Sequence, residues 1–289
     1  MKKQFYTKKL FSLLLALSLA ASFAIGVSAA GGEIVTPIRT ELDGKVIMTE
    51  NTSALLISGV TYVPLRRFCE ELGAASLTWY DAERKAQVRT TGLDISATEG
   101  QQYITVNERP FYSGASNLLR FGTLYVPVRS IAKAYGLSVN WCATDDGSFG
   151  YVSLVSEMPR AEHAEDVYDH EVLYWLSRII SAESRGESLL GQIAVGNVVM
   201  NRTRDANFPS TVYDVIFDTK FGVQFTPIVN GTIYEKPAES SIIAAKICLE
   251  GYTVSESILY FMNIALSSNM WVSNNRPYVM TLGNHTFYS

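Results

Sequence analysis

Eight residues, Gly59-Val60-Thr61-Tyr62-Val63-Pro64-Leu65-Arg66, recur 63 residues later as Gly122-Thr123-Leu124-Tyr125-Val126-Pro127-Val128-Arg129. Each copy runs into a short helical pattern, residues 68–72 or 131–135, then a glycine, Gly73 or Gly136, then a strand carrying Trp79 or Trp141. A fixed-period repeat of this kind means one supersecondary unit used twice. Alternation over residues 77–90, in Ile104-Thr105-Val106-Asn107 and in Tyr151-Val152-Ser153-Leu154 adds strands with one buried face. Residues 31–154 therefore read as a β-rich domain built on an internal repeat.

From residue 155 to 169 the apolar period stops, and Glu, His, Ala, Asp and a proline take over, which reads as a linker. A different pattern begins at residue 170. Val172, Leu176, Ile179 and Glu183 follow at steps of four, three and four, one stripe of a helix. Glu183 thus falls on the apolar face, in the last turn before Gly186, where unpaired carbonyls and apolar surroundings both disfavour a negative charge. Its pKa is expected to rise, as a general acid requires. A buried ion pair with Arg185 or Arg202 is the competing reading. Ser188 is placed to cap a second helix, whose Gly191, Ala194, Val195 and Val198 offer a small face for packing. Further on, residues 221–226 and 228–234 read as strand or extended loop, with Asn230-Gly231 as a tight turn between apolar flanks, a layout that allows a hairpin. Residues 240–249 read as a helix stopped by Gly251.

The N-terminus carries Lys2, Lys3, Lys8 and Lys9, an apolar run over residues 10–27 and small residues at Val27-Ser28-Ala29. That is the layout of a cleaved secretory signal peptide, residues 1–29, and no later segment is apolar enough to span a membrane. Losing four lysines and no acids takes the formal charge from −4 to −8. Such a chain is not built to attract nucleic acid. Cys69, Cys142 and Cys248 are scattered, and His163 and His170 stand seven apart, so no metal site, cofactor or disulfide framework is expected. Ser/His/Asp and Cys/His catalysis lack local context.

Two resemblances sharpen this reading. Ala182-Glu183-Ser184-Arg185-Gly186-Glu187, Gly191-Gln192-Ile193-Ala194-Val195 and Val198-Val199-Met200-Asn201-Arg202 resemble the SleB-like cell-wall hydrolases, a family that includes spore cortex-lytic enzymes. The likeness continues through Phe208-Pro209-Ser210-Thr211-Val212, Gln224-Phe225, Asn230-Gly231, Tyr260-Phe261, Trp271, Arg276-Pro277 and Gly283-Asn284-His285-Thr286-Phe287. The repeated Tyr-Val-Pro-Leu/Val-Arg of the first half is similar to the copper amine oxidase N-terminal-like stalk module, whose name implies no copper here. Together they imply an α+β protein of two domains, the stalk at 31–154 and a lysozyme-like lytic domain at 170–289.

The resemblance also implies a function. The expected reaction is lytic transglycosylation of peptidoglycan glycan strands, with 1,6-anhydro-muramic acid ends and Glu183 as general acid and then base. The expected location is secreted, in cell wall or spore envelope. Sugar polymers are held by aromatic faces and amide or hydroxyl groups, which Phe225, Tyr260, Asn263, Trp271 and His285 supply; arginines Arg66 and Arg129 of the stalk are read chiefly as structural, with binding of an anionic wall polymer as the less favoured alternative. Tyr260 and Asn263 match a family segment usually written Tyr-Phe-Tyr-Asn-Pro, from which this chain departs at Met262 and Ile264. Two alternatives stay open: a hydrolytic muramidase using a second carboxylate, Glu187 or Asp205, and a wall-binding protein without catalysis. An amidase is disfavoured because the usual zinc ligands are missing.

Overall fold

The computed structural model describes residues 35–289 apart from 50–53, 75, 145–149, 221 and 268. The signal peptide expected at residues 1–29 lies outside the described residues. The repeat is realised as two strand–helix units joined back to back. Val60–Pro64 and Thr123–Pro127 pair antiparallel at the centre of a five-stranded sheet, flanked by Ala54–Ile57 and Leu118–Arg120, with Val35–Ile38 at one edge. Each central strand ends in a proline, whose fixed φ (−67° at Pro64, −57° at Pro127) leads straight into a seven-residue helix, Leu65–Glu71 or Val128–Ala134.

The strand that follows each helix opens a further sheet. Ser76–Tyr80 joins Lys85–Thr90, Leu93–Thr98, Tyr103–Val106 and Arg109–Tyr112, while Leu137–Ala143 joins Gly150–Ser156, Thr40–Leu42 and Lys45–Met48. Val63, Phe68, Val88, Ile95, Ile104, Val126, Ile131 and Leu154 are fully buried between these layers and form one core.

Within the expected linker, residues 155–169, the chain is held against this half. The amides of Glu157 and Met158 donate to Gly136 O, Ala161 N donates to Ala134 O, and Asn107 Nδ2 donates to Ala161 O. A short helix, Ala164–Val167, then buries Ala164, and Tyr168 follows it into the interior. Composition alone suggested a linker because the anchoring is through backbone groups, which leave no apolar period.

The second half is helical with a small terminal sheet, so the chain is α+β as expected. His170–Ser184 is capped by Asp169, whose carboxylate accepts from Glu171 N and Val172 N, and Leu189–Arg202 is capped by Ser188 as anticipated. Leu189–Arg202 is the central helix: residues 191–199 are all buried. Its close approach to its neighbours is at Gly196, which the sequence reading did not single out. A Cβ there would lie 2.7 Å from both Ile180 Cδ1 and Cys248 Sγ.

The hairpin allowed over residues 221–234 does not form. Thr226–Asn230 is a helix and Thr232–Tyr234 a 3₁₀ turn. Gly231, at φ 80°, is the left-handed residue that ends the helix, so Asn230-Gly231 serves as a helix stop where a tight turn was expected. Glu239–Leu249 packs on both long helices, and Tyr260–Met262, His285–Tyr288 and Tyr278–Leu282 form the terminal sheet in that order.

The two halves meet around a buried carboxylate, with Lys246 Nζ also donating to Glu108 O at 3.0 Å. Glu250, its side chain 4% exposed, accepts from Arg109 Nε at 2.6 Å and Nη2 at 3.0 Å, Lys133 Nζ at 2.8 Å and Tyr168 Oη at 2.7 Å. Burial pushes its pKa up, but those three donors outweigh burial and hold the carboxyl below its ordinary range. Beside it, Tyr112 of the first half packs edge to face on Tyr252 of the second at 4.6 Å.

Candidate active site

Glu183 sits in the last turn of His170–Ser184, half-buried, where the helical stripe placed it. Among the described residues its carboxylate has no hydrogen-bond or ion-pair partner. Burial alone raises its pKa from the ordinary 4.5 to about 7. The competing ion pair is absent: Arg185 Nη2 binds Glu235 Oε2 at 2.8 Å, and Arg202 Nε donates to Leu259 O at 2.7 Å.

Glu187, just past the helix end, has the opposite environment. Its carboxylate accepts from Asn284 Nδ2 at 2.8 Å and Asn284 N at 3.2 Å, with its side chain 9% exposed. The Asn284 side chain, more than any other group, holds the Glu187 pKa below the usual range. Glu187 Oε2 also packs so closely on Gly283 that a Cβ there would overlap it. Two carboxyls four residues apart are thus shifted in opposite directions, one up to about 7 and the other below the usual range.

His285 lies 3.9 Å from Glu187 Oε1, beyond hydrogen-bonding reach, and among the described residues its buried Nδ1 has no hydrogen-bond partner. Burial lowers its pKa despite the nearby carboxylate, which keeps the imidazole neutral at neutral pH. Phe261 contacts it edge to face at 5.3 Å.

A groove of about 820 Å³ opens on the same half, lined by Phe208, Gln224, Tyr260, Trp271 and Arg276 among others. Tyr260 is flanked by two guanidinium groups, Arg276 at 4.5 Å and Arg202 at 5.3 Å from its ring centre, and Arg276 also lies over Trp271 at 5.3 Å. Arg202 is 5% exposed; burial brings its pKa down to about 10, so it remains charged at neutral pH. The groove combines aromatic faces, the amides of Asn207, Gln224 and Asn269, the Asp218 carboxylate and the Arg276 cation, a set suited to stacking and hydrogen bonding sugar rings.

The sequence candidates separate in space. Tyr260 and Trp271 line the groove together, whereas the lining does not include Glu183. Phe225 is 2% exposed and packs against Phe261 and Arg202, so its side chain is core and presents no face to a ligand. Asn263 turns its side chain back on Ala265 N at 3.1 Å, shaping the loop where the chain departs from the family segment. Asp205, the other carboxylate considered, accepts from Asn207 N and Nδ2 in a tight turn.

Arg276, Asn284 and the row Gln192, Asn197 and Asn201 carried no assigned role in the sequence reading. Asn197 and Asn201 lie on one face of the central helix and hold the following loop by its backbone: Asn197 binds Tyr252 O and Val254 N, and Asn201 binds Ser255 O and Ile258 O. Buried amides four apart on an otherwise apolar helix were the available signal.

Two regions of the chain match known protein families. Residues 186–288 match the cell wall hydrolase family, and residues 41–146 match the copper amine oxidase N-terminal domain. The chain therefore carries a cell-wall hydrolase domain behind a copper amine oxidase N-terminal-like domain. The family match begins just beyond Glu183.

Individual relatives are narrower. The chain is 30% identical over 146 residues to a spore cortex-lytic enzyme of Bacillus cereus, covering 50% of this chain and 55% of that protein. It is 33% identical over 112 residues to the spore cortex-lytic enzyme of Bacillus subtilis, covering 39% and 35% respectively. It thus spans about half or less of these curated relatives. Among solved structures it is similar to the catalytic domain of the germination-specific lytic transglycosylase SleB from Bacillus anthracis, at 32% identity over 42% of this chain and 97% of that one, with a TM-score of 0.39.

Proposed function

We propose that this protein is a secreted peptidoglycan-degrading enzyme of the lytic transglycosylase type, acting in cell-wall or spore-cortex remodelling. Residues 170–289 carry the chemistry, residues 31–154 serve as a stalk, and residues 1–29 direct export. The observation that carries the reading is the unpaired Glu183 carboxyl, held near neutrality by burial.

Protonated Glu183 donates to the glycosidic oxygen between muramic acid and glucosamine as that bond breaks. The resulting carboxylate then takes the proton from the muramic acid C6 hydroxyl, whose oxygen closes on C1 to give the 1,6-anhydro ring. A pKa near the working pH serves both steps. No second carboxylate, water or metal is needed. The groove at Tyr260, Trp271 and Arg276 offers stacking faces and a cation for the strand.

A hydrolytic muramidase is the second reading, favoured by the ionised Glu187 carboxylate close in sequence to Glu183. Mass spectrometry of products from digested peptidoglycan decides between them. Ends in 1,6-anhydro-muramic acid, lighter by one water, are expected, with Glu183→Gln slowed by about a hundredfold to ten-thousandfold and Glu187→Gln far less affected. Reducing ends, together with a Glu187→Gln variant as inactive as Glu183→Gln, would replace the transglycosylase by the muramidase.

A further inference from the structure

Across the two central strands of the first half, Val63 faces Val126, Tyr62 faces Pro127 and Pro64 faces Tyr125. Val63 and Val126 are equivalent positions of the repeat, so this register places a local twofold axis through their pair. Any feature shared between the helix start of one copy and the turn of the other must then occur twice.

Two grooves have that composition. In the first, about 370 Å³, Pro64, Arg66 and Trp79 of the first copy face Gly122, Thr123 and Leu124 of the second. In the other, about 640 Å³, Pro127, Arg129 and Trp141 of the second copy face Gly59, Val60 and Thr61 of the first. Among the described residues neither groove is lined by an aspartate or glutamate, in a chain with 28 acids and 24 lysines and arginines. Arg129 is exposed and has no carboxylate partner among the described residues, and Arg66 meets Glu70 only at 4.0 Å.

Both tryptophans are held in place. Trp79 Nε1 donates to Asp81 Oδ1 at 2.6 Å. The Trp141 ring lies on the backbone of Gly150, where a Cβ would overlap it, and is still 53% exposed. At Trp141 and Arg129 an indole is held open beside a guanidinium with no carboxylate partner among the described residues; in the first copy the same pair recurs with Trp79 half-buried against the core and Arg66 only loosely engaged by Glu70. The second groove extends to Tyr112 and Tyr252, at the junction with the lytic half.

We propose that these are quasi-equivalent binding sites for an anionic glycan, each stacking a sugar ring on Trp79 or Trp141 and pairing a carboxylate with Arg66 or Arg129. The proposal rests on the wall-lytic reading for its choice of polymer, the peptidoglycan strand, whose alternate sugars carry acidic substituents. Guanidinium suits a carboxylate by its planar fork of donors. A repeating strand can engage both grooves, and the second contact then profits from effective concentration.

The test uses the full chain with Glu183→Gln, so that the substrate survives, mixed with purified sacculi stripped of other anionic polymers. Bound fractions are compared after adding Trp141→Ala, then Trp79→Ala with Trp141→Ala. Arg66→Ala with Arg129→Ala, at exposed positions, guards against loss of fold in the tryptophan variants. Affinity should fall by about tenfold for one groove and further for both, and neutral chitin should bind weakly. The same changes in the chain with Glu183 intact should leave product release from soluble fragments unchanged. Unaltered binding in both double variants, or no binding by the starting chain, would overturn the grooves. Groove-dependent binding with no product released by the wild-type chain would instead sink the lytic reading and leave the grooves standing.

Discussion

Replacing Glu183 by glutamine should stabilise the protein at alkaline pH while it removes the chemistry. A carboxyl raised from 4.5 to about 7 is one whose charged form the folded state disfavours. At about 1.4 kcal/mol per pKa unit, the penalty comes to about 3–4 kcal/mol. Its pH dependence follows from linkage. Below about pH 4.5 the group is protonated whether folded or unfolded and costs nothing; the cost grows up to about pH 7 and is full above it. Because Glu183 is only half-buried, solvent screens part of the effect, and about 3–4 kcal/mol is a ceiling. Glutamine never ionises and avoids it. Urea unfolding of wild type and Glu183→Gln at about pH 4.5 and about pH 8 should therefore show a gap that widens in favour of the variant. Wild-type activity should decline as pH rises through about 7, as the donor loses its proton. A gap independent of pH, or a variant less stable at the higher pH, would mean that the Glu183 carboxylate has a stabilising partner and that the reasoning is wrong.

Glu250→Ala leaves the Arg109 and Lys133 charges beside an empty acid position at the junction of the halves. It should cost about 3–5 kcal/mol by chemical denaturation. Because the Glu250 pKa is depressed in the folded state, its contribution should be present above its unfolded pKa and disappear as pH falls through the lower folded value. Gly196→Ala should destabilise by about 1–3 kcal/mol through overpacking against Ile180 and Cys248, read from the shift of the denaturation midpoint. An unchanged midpoint would show that the helix crossing yields.

The repeat and its two helices were legible because each copy carries its own punctuation, a proline before the helix and a glycine after it. Glu183 was legible for a similar local reason: the 3.6 period alone puts it on the apolar face of its helix, and the cap at Ser188 follows from side-chain chemistry. Asn230-Gly231 shows the limit of such signals, since a left-handed glycine serves a hairpin or a helix end equally well, and only the packing of neighbouring residues chose the helix. Phe225 and Tyr260 looked alike as candidate sugar platforms, but burial depends on what arrives from elsewhere in the chain, and it separated them.

Glu187 was ambiguous for the same reason. The downward shift of its pKa comes chiefly from Asn284, almost a hundred residues away in the chain. The sequence by itself determined the local elements, the repeat and the acid at the helix end, because each rests on residues a few positions apart. The tertiary structure decided which side chains keep a face to solvent, which carboxylate gains a partner, and how two copies of one motif close two matching grooves. Those outcomes depend on desolvation and on contacts between distant segments, which come into being when the core forms.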